Sequence, residues 1–126
     1  MTTLNLIRSG DCEGSPKNLR AETIALGLMG AAPLAPDAFA EGVGWERGSG
    51  ETLMGREAIL AVEKGVGLRK IEVSQVVTHG KAGAVSGRLW REDGSSSLFC
   101  YMLRFTSAAV KQVAHVVSFE HASKPG

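Results

Sequence analysis

The chain has 126 residues, 44% of them hydrophobic and 21% charged, which fits one globular domain over 1–126 and excludes a disordered chain. Lys and Arg total 14 against 13 Asp and Glu, a formal net charge of +1. That balance excludes a protein built mainly to grip phosphate backbones or acidic membranes, so neither nucleic acid nor membrane is an expected partner. The uncharged run from Thr23 to Pro36 is shorter than the roughly 20 residues of a bilayer span and is broken by Pro33 and Pro36. Arg8, Asp11 and Glu13 interrupt the start of the chain, so no signal-peptide pattern is visible and a cytoplasmic location is expected. The two cysteines, Cys12 and Cys100, make neither a disulfide framework nor a CxxC site. Cys100 reads as a small apolar residue on a strand, the alternative being a thiol activated by a nearby base.

In chain order, residues 1–10 read as an irregular arm with an apolar cluster at Leu4, Leu6 and Ile7. Ser15-Pro16 starts a helix, Ser as cap and Pro in the first turn, running to about Met29. Leu19, Thr23, Ile24, Leu26, Leu28 and Met29 cover most of its circumference, and a helix apolar on most sides is buried on most sides. Pro36 to Ala40 predicts a short second helix, Val43 to Arg47 a brief strand, and Gly55 to Lys64 a third helix stopped by Gly65 and Gly67. The string Gly42 to Gly48 has the outline of a phosphate-binding GxGxxG. It lacks the third glycine at its offset and a helix after it, and is set aside.

From Lys70 the period changes to two, with Ile71, Val73, Gln75 and Val77 alternating with their neighbours. Ala84 to Arg91, Ser97 to Phe105 and Val110 to His121 predict three more strands, the first two joined through Asp93-Gly94. Residues 122–126 read as a frayed tail. Helices first and an antiparallel four-strand meander afterwards make an α+β fold, a curved sheet wrapped around the first helix.

Several stretches carry a resemblance that spans most of the chain. They are Phe39-Ala40-Glu41-Gly42-Val43-Gly44-Trp45-Glu46, Met54-Gly55-Arg56-Glu57-Ala58-Ile59, Val77 to Gly87, Asp11 to Asn18, and Leu103-Arg104-Phe105. Together they resemble the nuclear transport factor 2-like superfamily, the cystatin-like cone whose members include SnoaL-like and ketosteroid isomerase-like families. The resemblance implies a cone with an internal pocket. It also sets the isomerase roles at Thr23, Arg47 and Tyr101. Arg47 stands where the catalytic base would be and cannot accept a proton at neutral pH, so the isomerase mechanism is not expected. The Asp-Arg-Asp set of the epoxide hydrolase relatives has no counterpart.

With Tyr101 facing the cavity, period two turns Phe99, Leu103 and Phe105 inward with it and Cys100, Met102 and Arg104 outward. The same alignment points His115, Val117 and Phe119 inward on the last strand. The expected ligand-binding set is therefore Thr23, Trp45, Arg47, Phe99, Tyr101, Leu103, His115, Val117 and Phe119, an apolar lining with few polar groups that suits a small apolar or amphipathic molecule. His115 and Tyr101 are the catalytic candidates if an acid/base reaction occurs there. The bland readings are a core histidine, a rim ion pair for Arg47 and a core aromatic for Trp45. His79, His115 and His121 share no ligand spacing, so no metal is expected, and no cofactor motif is present. The outer sheet face is expected to pair with a second copy. A protein-interaction module with a plugged cavity is the remaining alternative.

Overall fold

The computed structural model describes residues 4–123. In chain order they form β1 (Asn5–Ile7), a 3-10 turn at Gly10–Cys12, α1 (Pro16–Leu28), a 3-10 turn at Pro36–Ala38, β2 (Phe39–Arg47), β3 (Thr52–Met54), α2 (Arg56–Ala61), β4 (Leu68–His79), β5 (Ala82–Arg91), β6 (Ser96–Phe105) and β7 (Val113–Ala122). One curved, unclosed sheet runs β1-β4-β5-β6-β7-β2-β3, with α1 in its concavity. This is the α+β cone that the sequence predicts. Among the described residues no helix is long and apolar enough to cross a membrane.

Local chemistry sets the principal elements. The Ser15 hydroxyl accepts from the Asn18 N–H at 3.3 Å and Pro16 opens the first turn of α1. Ile24, Leu26 and Leu28 are at most 3% exposed and pack into one core with Phe39, Trp45, Ile59, Val85, Leu89, Phe99, Leu103 and Phe105. Leu19, read as part of the apolar circumference, is instead exposed. Between β5 and β6 the Asp93 carboxylate accepts from the Ser95 N–H (2.8 Å) and hydroxyl (2.6 Å), and Gly94 takes the left-handed conformation at φ 89°.

Several boundaries differ from expectation. The arm is ordered as β1, paired in parallel with β4 through Asn5↔Lys70, Leu6↔Ile71 and Ile7↔Glu72. The Asp11 carboxylate, accepting from the Val76 N–H at 3.1 Å, pins the turn that follows. The expected second helix is only the turn Pro36–Ala38, because the chain enters β2 at Phe39 to pair in parallel with β7. Residues 52–54 add β3 to the edge, and α2 ends at Ala61, short of Lys64. Ala122 still belongs to β7, and the Ser123 N–H donates to the Ser96 carbonyl at 2.9 Å. Residues 1–3 of the arm and 124–126 of the tail lie outside the described residues.

Two bulges change which side chains face the core. In β4 the register passes from Val73↔Gly87 to Gln75↔Ser86, leaving Ser74 as an extra residue. Ile71 and Val73 are buried before it and Val76 after it, while Gln75 and Val77 turn outward. In β7 the register passes from Phe105↔Val113 to Arg104↔His115 and Leu103↔Val116. Two residues, Ala114 and His115, stand where β6 has one. Val113, Val116 and Ser118 are therefore buried, and His115, Val117 and Phe119 face outward. The expected inward set of the last strand is reversed.

Candidate functional site

A cleft of about 390 Å³ opens beyond the C-terminal end of α1. Its apolar wall is Leu28 and Met29 from the end of that helix, Leu68 from β4 and Leu89 from β5. Its charged rim is Arg47, Glu63, Lys64, Arg91 and Glu120, with Tyr101 below. A second depression of about 370 Å³ shares Arg47, Arg91, Tyr101 and Glu120 and extends toward Gly48, Ser49, Ser118 and Phe119. The rim thus carries three cations against two carboxylates.

Each arginine is already oriented. The Arg47 guanidinium lies over the Trp45 indole, 5.0 Å from its centroid, and donates to Glu51 at 2.7 Å. Arg91 donates to both Glu120 oxygens, at 3.2 and 2.9 Å. These pairs are partly solvated, so they position charge more than they stabilise the fold. The Tyr101 ring is buried, 6.3 Å from Trp45 and 6.2 Å from Phe99. Burial, and secondarily the Glu120 carboxylate, holds its hydroxyl well above the usual phenol range, so it is a proton donor at neutral pH.

The expected site residues divide three ways. Arg47 and Tyr101 line the cleft, and Phe119, though half exposed, borders the second depression. Trp45, Phe99 and Leu103 are core residues behind it, Trp45 donating its indole N–H to the Ser118 hydroxyl at 2.8 Å. Thr23, His115 and Val117 lie elsewhere. The Thr23 hydroxyl donates to the Leu19 carbonyl at 2.8 Å and accepts from Arg8 at 3.1 Å. Val117 stands opposite Met102 on the outer face.

His115 pairs with Glu46 on that same outer face, Nε2 to Oε2 at 2.6 Å, its side chain 42% exposed. Trp45 points inward and its neighbour Glu46 outward, which settles the side. Tyr101 and His115 therefore lie on opposite faces of the sheet, and the expected acid/base pair does not exist. The cause is the β7 bulge, which advances the alternation by one residue.

Sequence reasoning missed Lys64, Arg91 and Glu120. Arg91 was accessible from the pattern, since period two along β5 puts it on the same face as the buried Leu89. Glu120 needed the bulge. Lys64 reaches the cleft from a loop whose path no periodicity reveals.

No family model matches the chain, and no curated protein matches it. Solved structures do. An NTF2-like protein of unknown function from Mesorhizobium loti superposes with a TM-score of 0.64 at 19% identity, covering 92% of this chain and 98% of that one. One from Cytophaga hutchinsonii gives 0.62 at 14% identity, covering 82% and 98%. A de novo designed protein with a curved β-sheet gives 0.61 at 14% identity, covering 82% and 84%. Likeness at these identities speaks to architecture and leaves chemistry to the side chains. The chain has the nuclear transport factor 2-like fold.

Proposed function

We propose that the protein binds a small amphipathic molecule carrying one anionic group in the cleft at the end of α1. The observation that carries this reading is the pairing of an apolar wall, Leu28, Met29, Leu68 and Leu89, with a rim holding Arg47, Lys64 and Arg91. The volume lies within the roughly 300–1,000 Å³ of small-molecule sites. Arginine guanidinium groups suit a carboxylate or phosphate, and both are held in place before any ligand arrives. Arg47 stands at the position of the isomerase base and cannot accept a proton at neutral pH, and the reading is of binding rather than of a named reaction.

Calorimetric titration with 2-naphthoate tests it, with 2-naphthalenemethanol as the uncharged counterpart. Arg47→Ala and Arg91→Ala are each expected to weaken naphthoate binding about tenfold, the worth of one charge-assisted hydrogen bond of roughly 1.5 kcal/mol. The loss is expected to be larger for Arg91→Ala, which frees Glu120 to repel the carboxylate. The alcohol should respond to neither change. Equal naphthoate affinity in all three proteins removes the reading.

We further infer that a second copy covers the outer sheet face. Val77, Leu98, Met102 and Phe119 expose 57%, 46%, 52% and 51% of their surface there, and a two-fold axis would lay this face on itself. Sedimentation at micromolar concentration is expected to give a dimer and Met102→Lys a monomer. A monomeric parent chain contradicts this. The two free cysteines, Cys12 and Cys100, are in keeping with a reducing, cytoplasmic compartment.

A further inference from the structure

Binding of an amphipathic anion uses the charge of Lys64 at the rim of the cleft and makes no use of its amine as a nucleophile. Lys64 follows α2 in the loop that packs against the end of α1. The next residue, Gly65 (φ 72°), packs against Gly30 (φ 85°) beyond the end of α1, so closely that a Cβ on Gly30 would stand 2.9 Å from the Gly65 Cα. The Lys64 Nζ donates to the Leu60 and Val62 carbonyls at 3.3 and 2.8 Å. It shares the cleft with Arg47, Arg91, Tyr101, Glu63 and Glu120. An amine anchored in this way keeps a defined position at the wall, unlike a lysine free in solvent.

Its electrostatic surroundings oppose one another. The two carbonyls favour the ammonium form. Burial, and then the nearby Arg47 charge, disfavour it, and the outcome is a downward shift from the ordinary lysine value. The neutral amine, with its lone pair free, is the nucleophile toward carbonyl carbon.

We propose that Lys64 condenses with the carbonyl group of an aldehyde or ketone whose carboxylate lies between Arg47 and Arg91 and whose apolar part lies against Leu28, Leu68 and Leu89. This rests on the binding reading above and names the substrate class of the same cleft. The Nζ lone pair forms a C–N bond to the carbonyl carbon, and the carbonyl oxygen takes up a proton. The carbinolamine then loses that oxygen as water, which carries away both amine hydrogens, and a C=N bond remains. No oxidant or reductant is consumed. The protonated Tyr101 hydroxyl in the same cleft is the available hydrogen-bond donor to the carbonyl oxygen.

The test is reductive trapping of the whole protein at pH 7 with 4-formylbenzoate and cyanoborohydride, followed by peptide mapping. Lys64 is expected to be labelled at least tenfold faster than the other lysine side chains of the chain. Excess 2-naphthoate should suppress that label alone, benzaldehyde should lose the preference, and Lys64→Arg, which keeps the charge and the donors to the two carbonyls, should abolish it. Labelling spread evenly over the lysines, or insensitive to 2-naphthoate, overturns the proposal. If 2-naphthoate binds with its arginine dependence while Lys64 stays unlabelled, only the carbonyl chemistry falls. If it does not bind at all, both readings fall.

Discussion

Gly87→Ala is expected to lower stability by about 3 kcal/mol or more, the upper range for overpacking a core. Gly87 lies on β5 opposite Val73 and Phe99, where the β4 bulge begins. A Cβ there would overlap the Glu72 carbonyl oxygen and stand 3.0 Å from the Phe99 ring. The first obstacle is backbone, so no rotamer change relieves it. The bulged strand must move, and with it the partners of Ile71 and Val73. Thermal unfolding should show a fall in Tm of roughly 10 °C or more for a chain of this size. Gly42→Ala is the control, because nothing lies within 4 Å of its added methyl. A loss under 1 kcal/mol at Gly87 would mean that the β4 bulge yields and is not a fixed part of the sheet.

Arg8→Met is expected to cost about 3 kcal/mol, near the low end for breaking a buried ion pair. Glu22 on α1 is fully buried, and its carboxylate accepts from the Arg8 guanidinium and from the Ser9 N–H at 2.9 Å. Without Arg8 the carboxylate keeps only neutral partners, the Ser9 N–H among them, in a site closed to water. Arg8 itself is 42% exposed, which lets solvent repay part of the loss and sets the expectation at the low end. The double variant Arg8→Met/Glu22→Leu is expected to recover to within about 1 kcal/mol of the parent, because removing both charges removes the desolvation penalty as well. Urea unfolding of the four proteins measures the cycle. A double variant as unstable as Arg8→Met would show that the pair contributes stability of its own. The same carboxylate acts on Cys12, whose thiol is pushed up to about 11, first by burial and then by Glu22. Cys12 is accordingly a poor nucleophile.

Elements governed by near neighbours were legible in the sequence. Ser15-Pro16 marked the start of α1 and Asp93-Gly94 marked the β5–β6 hairpin, because each signal is complete within a few residues. The alternation of β6 was read correctly through Phe99, Tyr101, Leu103 and Phe105 because that strand is regular until its end. β7 was misread because its phase depends on an extra residue inserted against Arg104, and no local composition marks Ala114 or His115 as that residue. The candidate site inherited the error. Arg47, Tyr101 and Glu120 line the cleft, while His115, expected there, pairs with Glu46 on the opposite face of the sheet. β1 and β3, three residues each, are too short to display a period and form only because a longer strand offers an edge.

The parallel pairings of β1 with β4 and of β2 with β7 have a consequence for how the protein comes to exist. As the polypeptide leaves the ribosome, the first 60 or so residues emerge with α1 but without the strands that receive β1 and β2. Until β7 arrives, β2 has only the short hairpin with β3 as a strand partner. Phe39, Val43 and Trp45 lie on a strand that lacks its parallel partner until β7, more than 60 residues later, has been translated, which makes the growing chain dependent on β7 for protection from association.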